Sequence, residues 1–158
     1  MQYSYYFLHG LDSSGKGTKG RFFSSNYPAV HCPDFQGNLE NRLQQLSLLC
    51  GKQSELIFIG SSFGGLMATV FASLHPHLVK RLILLAPALN FPDFSLPKEQ
   101  VEAKTYLVIG KYDDVTPIDP VLDLATRTFR NLTVTEVEDD HFLHKTFQHL
   151  DWQDLLRP

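Results

Sequence analysis

Leu56-Ile57-Phe58-Ile59-Gly60-Ser61-Ser62-Phe63-Gly64-Gly65-Leu66-Met67-Ala68 is the stretch that decides the fold. A run of bulky apolar residues stops at a glycine, a serine follows two places on, and two further glycines lead into helix formers. The pattern reads as a buried strand, a turn too tight for side chains, and a helix from Phe63 to about Leu74 packed back on the strand. Gly60-Ser61-Ser62-Phe63-Gly64 fits G-x-S-x-G, in which the central serine sits on a sharp strand-to-helix bend with its hydroxyl exposed. A Cβ at either flanking glycine would collide with the neighbouring strand or helix. Holding Ser62 itself in such a bend costs roughly 1–3 kcal/mol, a strain usually kept for chemistry. The plainer alternative is that Ser62 only begins a helix as a cap.

On both sides of this stretch strands alternate with helices. Tyr3 to Leu8 reads as a first strand, nearly all apolar and so covered on both faces. A glycine-rich loop follows, His9 to Thr18, then a helix over Lys19 to Asn26 and a short strand over Ala29 to Cys32. Asn38 caps a helix from Leu39 to Leu49, with Leu39, Leu43, Leu46 and Leu49–Cys50 on one face and Gly51 as its stop. Past the central helix, Leu82 to Leu85 is a strand, and the proline-interrupted segment Asn90 to Lys98 is irregular. Thr105 to Ile109 and Leu132 to Val137 are strands, the second with period-2 alternation. Asp119 to about Arg130 and about Leu143 to Leu156 read as helices. This order predicts βαβ units in a single α/β domain over residues 1–158. The architecture expected is a three-layer α/β/α sandwich with a mostly parallel sheet of about six strands and no lid domain.

Composition narrows the function classes. The 158 residues can bury a sizeable core, and 43% hydrophobic with 20% charged residues is ordinary for a soluble globular protein. Fourteen Lys plus Arg against 17 Asp plus Glu give a net charge of −3, with no basic cluster to suggest a nucleic-acid partner. No secretory-type N-terminal segment precedes the first strand, and no apolar run approaches the ~18 residues of a membrane span. Cys32 and Cys50 form neither a disulfide framework nor a metal spacing, which fits buried free thiols in a reducing cytoplasm. Nothing in the sequence sets an oligomeric state.

In open α/β sheets, ligands bind beyond the C-terminal ends of the strands. Four reactive positions follow strands: His9-Gly10, Ser62, Asp113-Asp114 and Asp140-His141. Serine, aspartate and histidine are side chains that together suit acyl transfer. A serine hydroxyl needs a base to take its proton, and His141 would be that base and then the acid for the leaving group, a role worth about 10²–10⁴-fold. A carboxylate would fix the imidazole tautomer. The backbone N–H groups of Phe63 and, from the first-strand loop, Leu11 would meet the oxyanion of the tetrahedral intermediate.

Four segments carry a resemblance. They are Phe7-Leu8-His9-Gly10-Leu11-Asp12-Ser13-Ser14, Ile59 to Gly65, Gly110-Lys111-Tyr112-Asp113-Asp114-Val115-Thr116-Pro117, and Asp140-His141-Phe142. The chain resembles the α/β-hydrolases, in particular the small lid-less bacterial esterases of the YqiA-like group. The resemblance implies a serine esterase with no metal or organic cofactor and a small ester as its partner molecule. It maps the acid onto Asp113, with Asp114 in reserve. Either aspartate could instead cap the helix that follows. His9 is structural or pocket-lining. Phe142 is expected at the pocket with Gly10. Two departures stand out. Glu138, Asp139 and Asp140 precede the histidine where members often have glycine, which would raise the imidazole pKa if those carboxylates face the ring. Only Ala88 to Lys98 is available where larger relatives insert a lid. An open pocket walled by Phe91, Phe94 and Leu96, suited to short acyl groups, is the expectation, although core packing would explain the same aromatics.

Three rival readings exist. Gly10 to Thr18 also fits the phosphate loop G-x-x-x-x-G-K-G-T of a nucleotide-binding phosphotransferase. The fold could serve as a non-catalytic binding module. Asp139, Asp140, His141 and His144 could hold a hydrolytic metal.

Overall fold

A computed structural model describes all 158 residues, Met1 to Pro158. Six strands form one sheet in the order β2-β1-β3-β4-β5-β6, and every neighbouring pair is parallel. They are β1 (Ser4–Leu8), β2 (Val30–His31), β3 (Leu56–Ser61), β4 (Val79–Leu85), β5 (Lys104–Gly110) and β6 (Leu132–Val137). The helices are α1 (Thr18–Asn26), α2 (Leu39–Cys50), α3 (Phe63–Leu74), α4 (Ile118–Thr128) and the single turn α5 (Trp152–Leu155). None is long and apolar enough to cross a membrane.

The period of two along each strand divides the core into two layers. Leu56 and Phe58 of β3, Leu82 and Leu84 of β4, and Leu107 and Ile109 of β5 join one cluster with Leu46, Leu66, Phe71 and Val121, from α2, α3 and α4. Their neighbours Ile57, Ile59, Ile83, Leu85 and Val108 point the other way. They pack on Phe23 of α1 and on Phe147 and Trp152 of the C-terminal segment. This is the three-layer arrangement expected from the sequence. The helix after the glycine bend is also the most buried one, with nine buried residues from Phe63 to Ala72. Asn38 caps α2 as anticipated, in a reciprocal box with Asn41.

The expected last helix over Leu143 to Leu156 does not form. The segment is a series of turns, a 3₁₀ turn at Phe147–His149, and α5. Leu143 takes a positive φ of 54°, and the buried carboxylate of Asp139 accepts the N–H groups of Lys145 and Thr146. The apolar residues Leu143, Phe147 and Leu150 imitate helical spacing, yet Leu143, Phe147 and Trp152 fill the thin second layer one by one. Trp152 is held there by its indole N–H donating to Phe147 O at 2.9 Å. β4 starts three residues earlier than expected, at Val79, and β6 lies at the sheet edge with its middle residues exposed.

Candidate active site

The bend after β3 is as tight as its glycines imply. Ser62 has φ 53° and ψ −115°, a conformation disfavoured for a residue with a side chain. A Cβ on Gly64 would run into the Leu8 carbonyl of β1, and one on Gly60 would lie 2.6 Å from the Gly64 carbonyl oxygen. Only glycine at both places lets α3 approach the sheet this closely.

Three side chains from distant parts of the chain meet at the C-terminal edge of the sheet. Ser62 Oγ lies 3.0 Å from His141 Nε2, and His141 Nδ1 lies 2.8 Å from Asp113 Oδ2. With Nδ1–H donating to the carboxylate, Nε2 is free to accept the serine proton. Asp113 is buried, and its other oxygen accepts the N–H groups of Val115 at 2.9 Å and Thr116 at 2.7 Å. Asp114 is exposed and makes no hydrogen bond or ion pair with His141, so the reserve position plays no part in this geometry. The buried hydroxyl of Thr116 touches both partners, 2.6 Å from Asp113 Oδ2 and 3.1 Å from His141 Nδ1.

Two backbone donors stand ready beside the serine. Phe63 is the first residue of α3 and Leu11 lies in the loop after β1; neither N–H has a protein acceptor. Gly10 brings the loop close, since a Cβ there would lie 3.5 Å from the Ser62 Cβ.

A cleft of about 650 Å³ opens over Ser62, with Gly10, Leu11, Phe91, Val115 and Phe142 on its walls together with Ser13, Ser14, Lys19 and Arg21. Phe94 and Leu96 are not among its lining residues. The turn in which Phe94 N–H donates to Phe91 O at 3.0 Å carries Phe94 against the α2–α4 core instead. His9 is also absent from the walls, being buried at 1% exposure. Its Nε2 accepts the Phe35 N–H at 2.8 Å and its Nδ1–H donates to Gly10 O at 2.7 Å. Burial pushes its pKa down from 6.5 and keeps this single neutral tautomer in place. The other large hollow, between α2 and α3, is lined by Leu39, Leu43, Leu74 and Phe71 with polar residues such as Gln44 and Ser47, and lies away from these groups.

The acidic run before His141 does not face its ring. Glu138 pairs with Lys111 at 3.7 Å, and Asp140 pairs with His144 at 2.6 Å. Asp139 is buried within its own loop, accepting Asp140 N–H (2.8 Å), Lys145 N–H (2.9 Å), Thr146 N–H (2.8 Å) and the Thr146 hydroxyl (2.7 Å). The condition set for that expectation, carboxylates facing the ring, is therefore not met. No group of three or more His, Cys, Asp or Glu residues is arranged to hold a metal ion.

The rival phosphate loop fails on its donors. Gly15 N–H is taken by Asp34 at 2.7 Å, Lys16 N–H by Ser14 Oγ at 3.1 Å, and Gly17 N–H by Ser14 O at 3.1 Å. A phosphate cradle needs those N–H groups pointing at the ligand.

Sequence reading gave no role to two residues that shape the site, Thr116 and Arg42, and it read Asp139 for other roles than ordering its loop. Arg42 is buried on α2 at 3% exposure and reaches His9 O at 3.2 Å and Gly10 O at 3.5 Å. Its signal was available, since it falls between Leu39 and Leu46 on the apolar stripe of α2, where a charge is out of place.

Comparison with known proteins agrees with this architecture. The family model of the alpha/beta hydrolase fold matches residues 21–104, more than half of the chain and inclusive of Ser62. No curated protein matches by sequence. Among solved structures, an esterase from a marine microorganism superposes with a TM-score of 0.74 at 16% identity, covering 94% of this chain and 92% of its own. The ferulic-acid complex of Est1E from Butyrivibrio proteoclasticus gives 0.72 at 14% identity, covering 91% and 83%. A YdeN-like hydrolase from Pectobacterium atrosepticum gives 0.72 at 17% identity, covering 89% and 80%. At these identities the likeness is one of fold.

Proposed function

Because the chain belongs to the α/β-hydrolase fold family, we propose that it is a serine hydrolase cleaving small or short-acyl carboxylic esters, built as one domain in the manner of the YqiA-like esterases. The observation that carries this reading is the continuous chain Ser62 Oγ, His141 Nε2, His141 Nδ1, Asp113 Oδ2, with links of 3.0 and 2.8 Å. Links of that length are within reach for proton transfer.

The chemistry follows from the geometry. Ser62 Oγ attacks the ester carbonyl carbon while its proton passes to His141 Nε2. The carbonyl π electrons move onto oxygen, and the N–H groups of Leu11 and Phe63 meet that oxyanion. Losing one such donor typically costs about 10²–10³ in rate. Asp113 balances the imidazolium. Collapse breaks the bond to the alkoxy group, which leaves as the alcohol after taking the proton from His141. A water molecule then attacks the acyl-serine with His141 as base, releasing the acid and restoring Ser62. No step calls on a metal or organic cofactor. An open cleft bounded by Leu11, Phe91, Val115 and Phe142 suits a short acyl group better than a long chain.

The test is labelling with a fluorophosphonate, mapping of the modified residue, and turnover of a p-nitrophenyl ester series of increasing chain length. Modification at Ser62 with turnover falling beyond short acyl groups is expected. Ser62→Ala should abolish both, whereas Ser61→Ala should be mild. An unlabelled, inert wild type would support the binding-module reading instead.

A further inference from the structure

Arg42 is a charge without a counter-charge. Its side chain is buried, none of the chain's ion pairs includes it, and its Nε has no hydrogen-bond partner. Burying an unpaired cation is costly, and burial here works against the charge on the guanidinium. Such a feature calls for a compensating role, and its contacts define one. Nη1 donates to His9 O and Nη2 to Gly10 O, while the guanidinium carbon lies 5.2 Å from the centre of the Phe63 ring. Arg42 thus touches the two residues on which both backbone donors depend. Phe63 supplies one N–H itself. Gly10 supplies the carbonyl half of the peptide whose other half is Leu11 N–H.

The geometry of that peptide gives the contact its meaning. All peptide bonds are trans, so the C=O and N–H of the Gly10–Leu11 unit point in opposite directions. Gly10 O is drawn inward by His9 Nδ1–H at 2.7 Å and by Arg42. Leu11 N–H must then point outward, toward the cleft that Gly10, Leu11 and Ser62 share. A cation behind the carbonyl end also polarises the peptide, because hydrogen bonds in series strengthen one another. The N–H becomes a better donor to negative charge at its far end. The low-dielectric surroundings make a buried charge act more strongly there than an exposed one.

We infer that Arg42 is a positioning residue of the oxyanion site: its buried, unbalanced guanidinium holds and polarises the Gly10–Leu11 peptide from behind so that Leu11 N–H faces the reacting carbonyl. The inference rests on the serine-hydrolase reading, and it assigns to Arg42 an effect on the transition state and not on substrate binding.

Arg42→Met removes the charge at similar volume; Arg42→Lys keeps a charge within reach of the same carbonyls. The expected result for Arg42→Met is a kcat lower by about tenfold with KM within about twofold, and an equally slowed reaction with the fluorophosphonate. Arg42→Lys should recover most of that loss. A folded Arg42→Met with wild-type kcat would overturn the inference. So would an Arg42→Lys as impaired as Arg42→Met, since charge would then not be the cause. If Arg42→Met does not fold, Arg42→Lys decides alone: retained kcat supports the role and a tenfold loss at unchanged KM defeats it. The amide nitrogen resonance of Leu11 provides a readout free of activity, because it reports hydrogen bonding at Gly10 O. It should move upfield in Arg42→Met and return in Arg42→Lys. A wild type that neither hydrolyses esters nor reacts at Ser62 would sink the hydrolase reading. In that case an unmoved Leu11 resonance would sink the placement of the peptide as well.

Discussion

Thr116 Oγ1 lies 2.6 Å from the Asp113 oxygen that faces His141, and only 3.1 Å from the imidazole nitrogen itself. One hydroxyl therefore serves both members of the pair, and it also lies 3.3 Å from Ala86 O. Its proton goes to the carboxylate, and its lone pair shares the proton on His141 Nδ1. Being fully buried, Thr116 has no water to replace either bond. Thr116→Val keeps the shape and deletes the hydroxyl. Steady-state kinetics should show kcat lower by about tenfold with little change in KM, and Thr116→Ser should restore it. Equal impairment of the serine variant would mean that the methyl group matters and the hydroxyl does not.

Asp113 and Asp114 are adjacent and chemically identical, yet only one faces His141. Asp113→Asn should lower kcat by about 10⁴-fold, because an amide can hold the wrong imidazole tautomer in place. Asp114→Asn, at an exposed position, should stay within about twofold. Comparable losses in the two variants would mean that the loop shifts on substrate binding.

The resemblance favours Asp113 over Asp114, but the physical reason for that preference is not legible in the sequence. Gly60 and Gly64 could be read because the G-x-S-x-G spacing marks them, although the carbonyl that forbids a Cβ at Gly64 is that of Leu8 on β1; the apolar strands could be read because both faces of the sheet are covered. The choice of Asp113 depends on the Val115 and Thr116 N–H groups capturing Oδ1, a detail of turn geometry that no periodicity encodes. The C-terminal segment misled for a related reason. Leu143, Phe147 and Leu150 repeat at helical spacing, but the Asp139 side chain competes for the backbone donors that a helix would need. Arg42 lay open to view on its apolar stripe. Its partners, His9 and Gly10, are more than thirty residues away in sequence and meet it only in the fold.

His9 gives the first pH dependence. Its folded pKa is depressed, chiefly by burial, with the Arg42 charge acting in the same direction and Asp34 and the bond to Gly10 O opposing. A depressed histidine leaves the unfolded chain binding protons more readily, so the stabilisation is complete above 6.5 and falls as the pH drops toward the lower folded value. In His9→Gln an amide oxygen can accept the Phe35 N–H without titrating. Thermal unfolding between pH 7 and pH 5 should show a shallower decline for this variant than for the wild type. Parallel curves would show that His9 has the same pKa in the folded and unfolded chain, so that burial does not depress it.

Asp139 gives the second, at lower pH and by a different balance. Burial opposes its charge, but the Thr146 hydroxyl and the N–H groups of Asp140, Thr146 and Lys145 outweigh it and hold the carboxyl below its ordinary value of 3.8. The folded state therefore binds this proton less readily than the unfolded chain. The stabilisation is complete above 3.8 and is lost as the pH falls through the depressed folded value. Asp139→Asn turns one acceptor into a donor facing N–H groups, and should cost about 2 kcal/mol at neutral pH. Urea unfolding of both proteins from pH 7 to pH 3 tests the sign: the gap should hold down to about pH 4 and narrow below it as the wild-type carboxylate protonates. The same loop carries His141, so Asp139→Asn should also lower kcat while leaving the protein folded. A constant gap across the whole range would mean that the aspartate stabilises its loop by shape and not by charge.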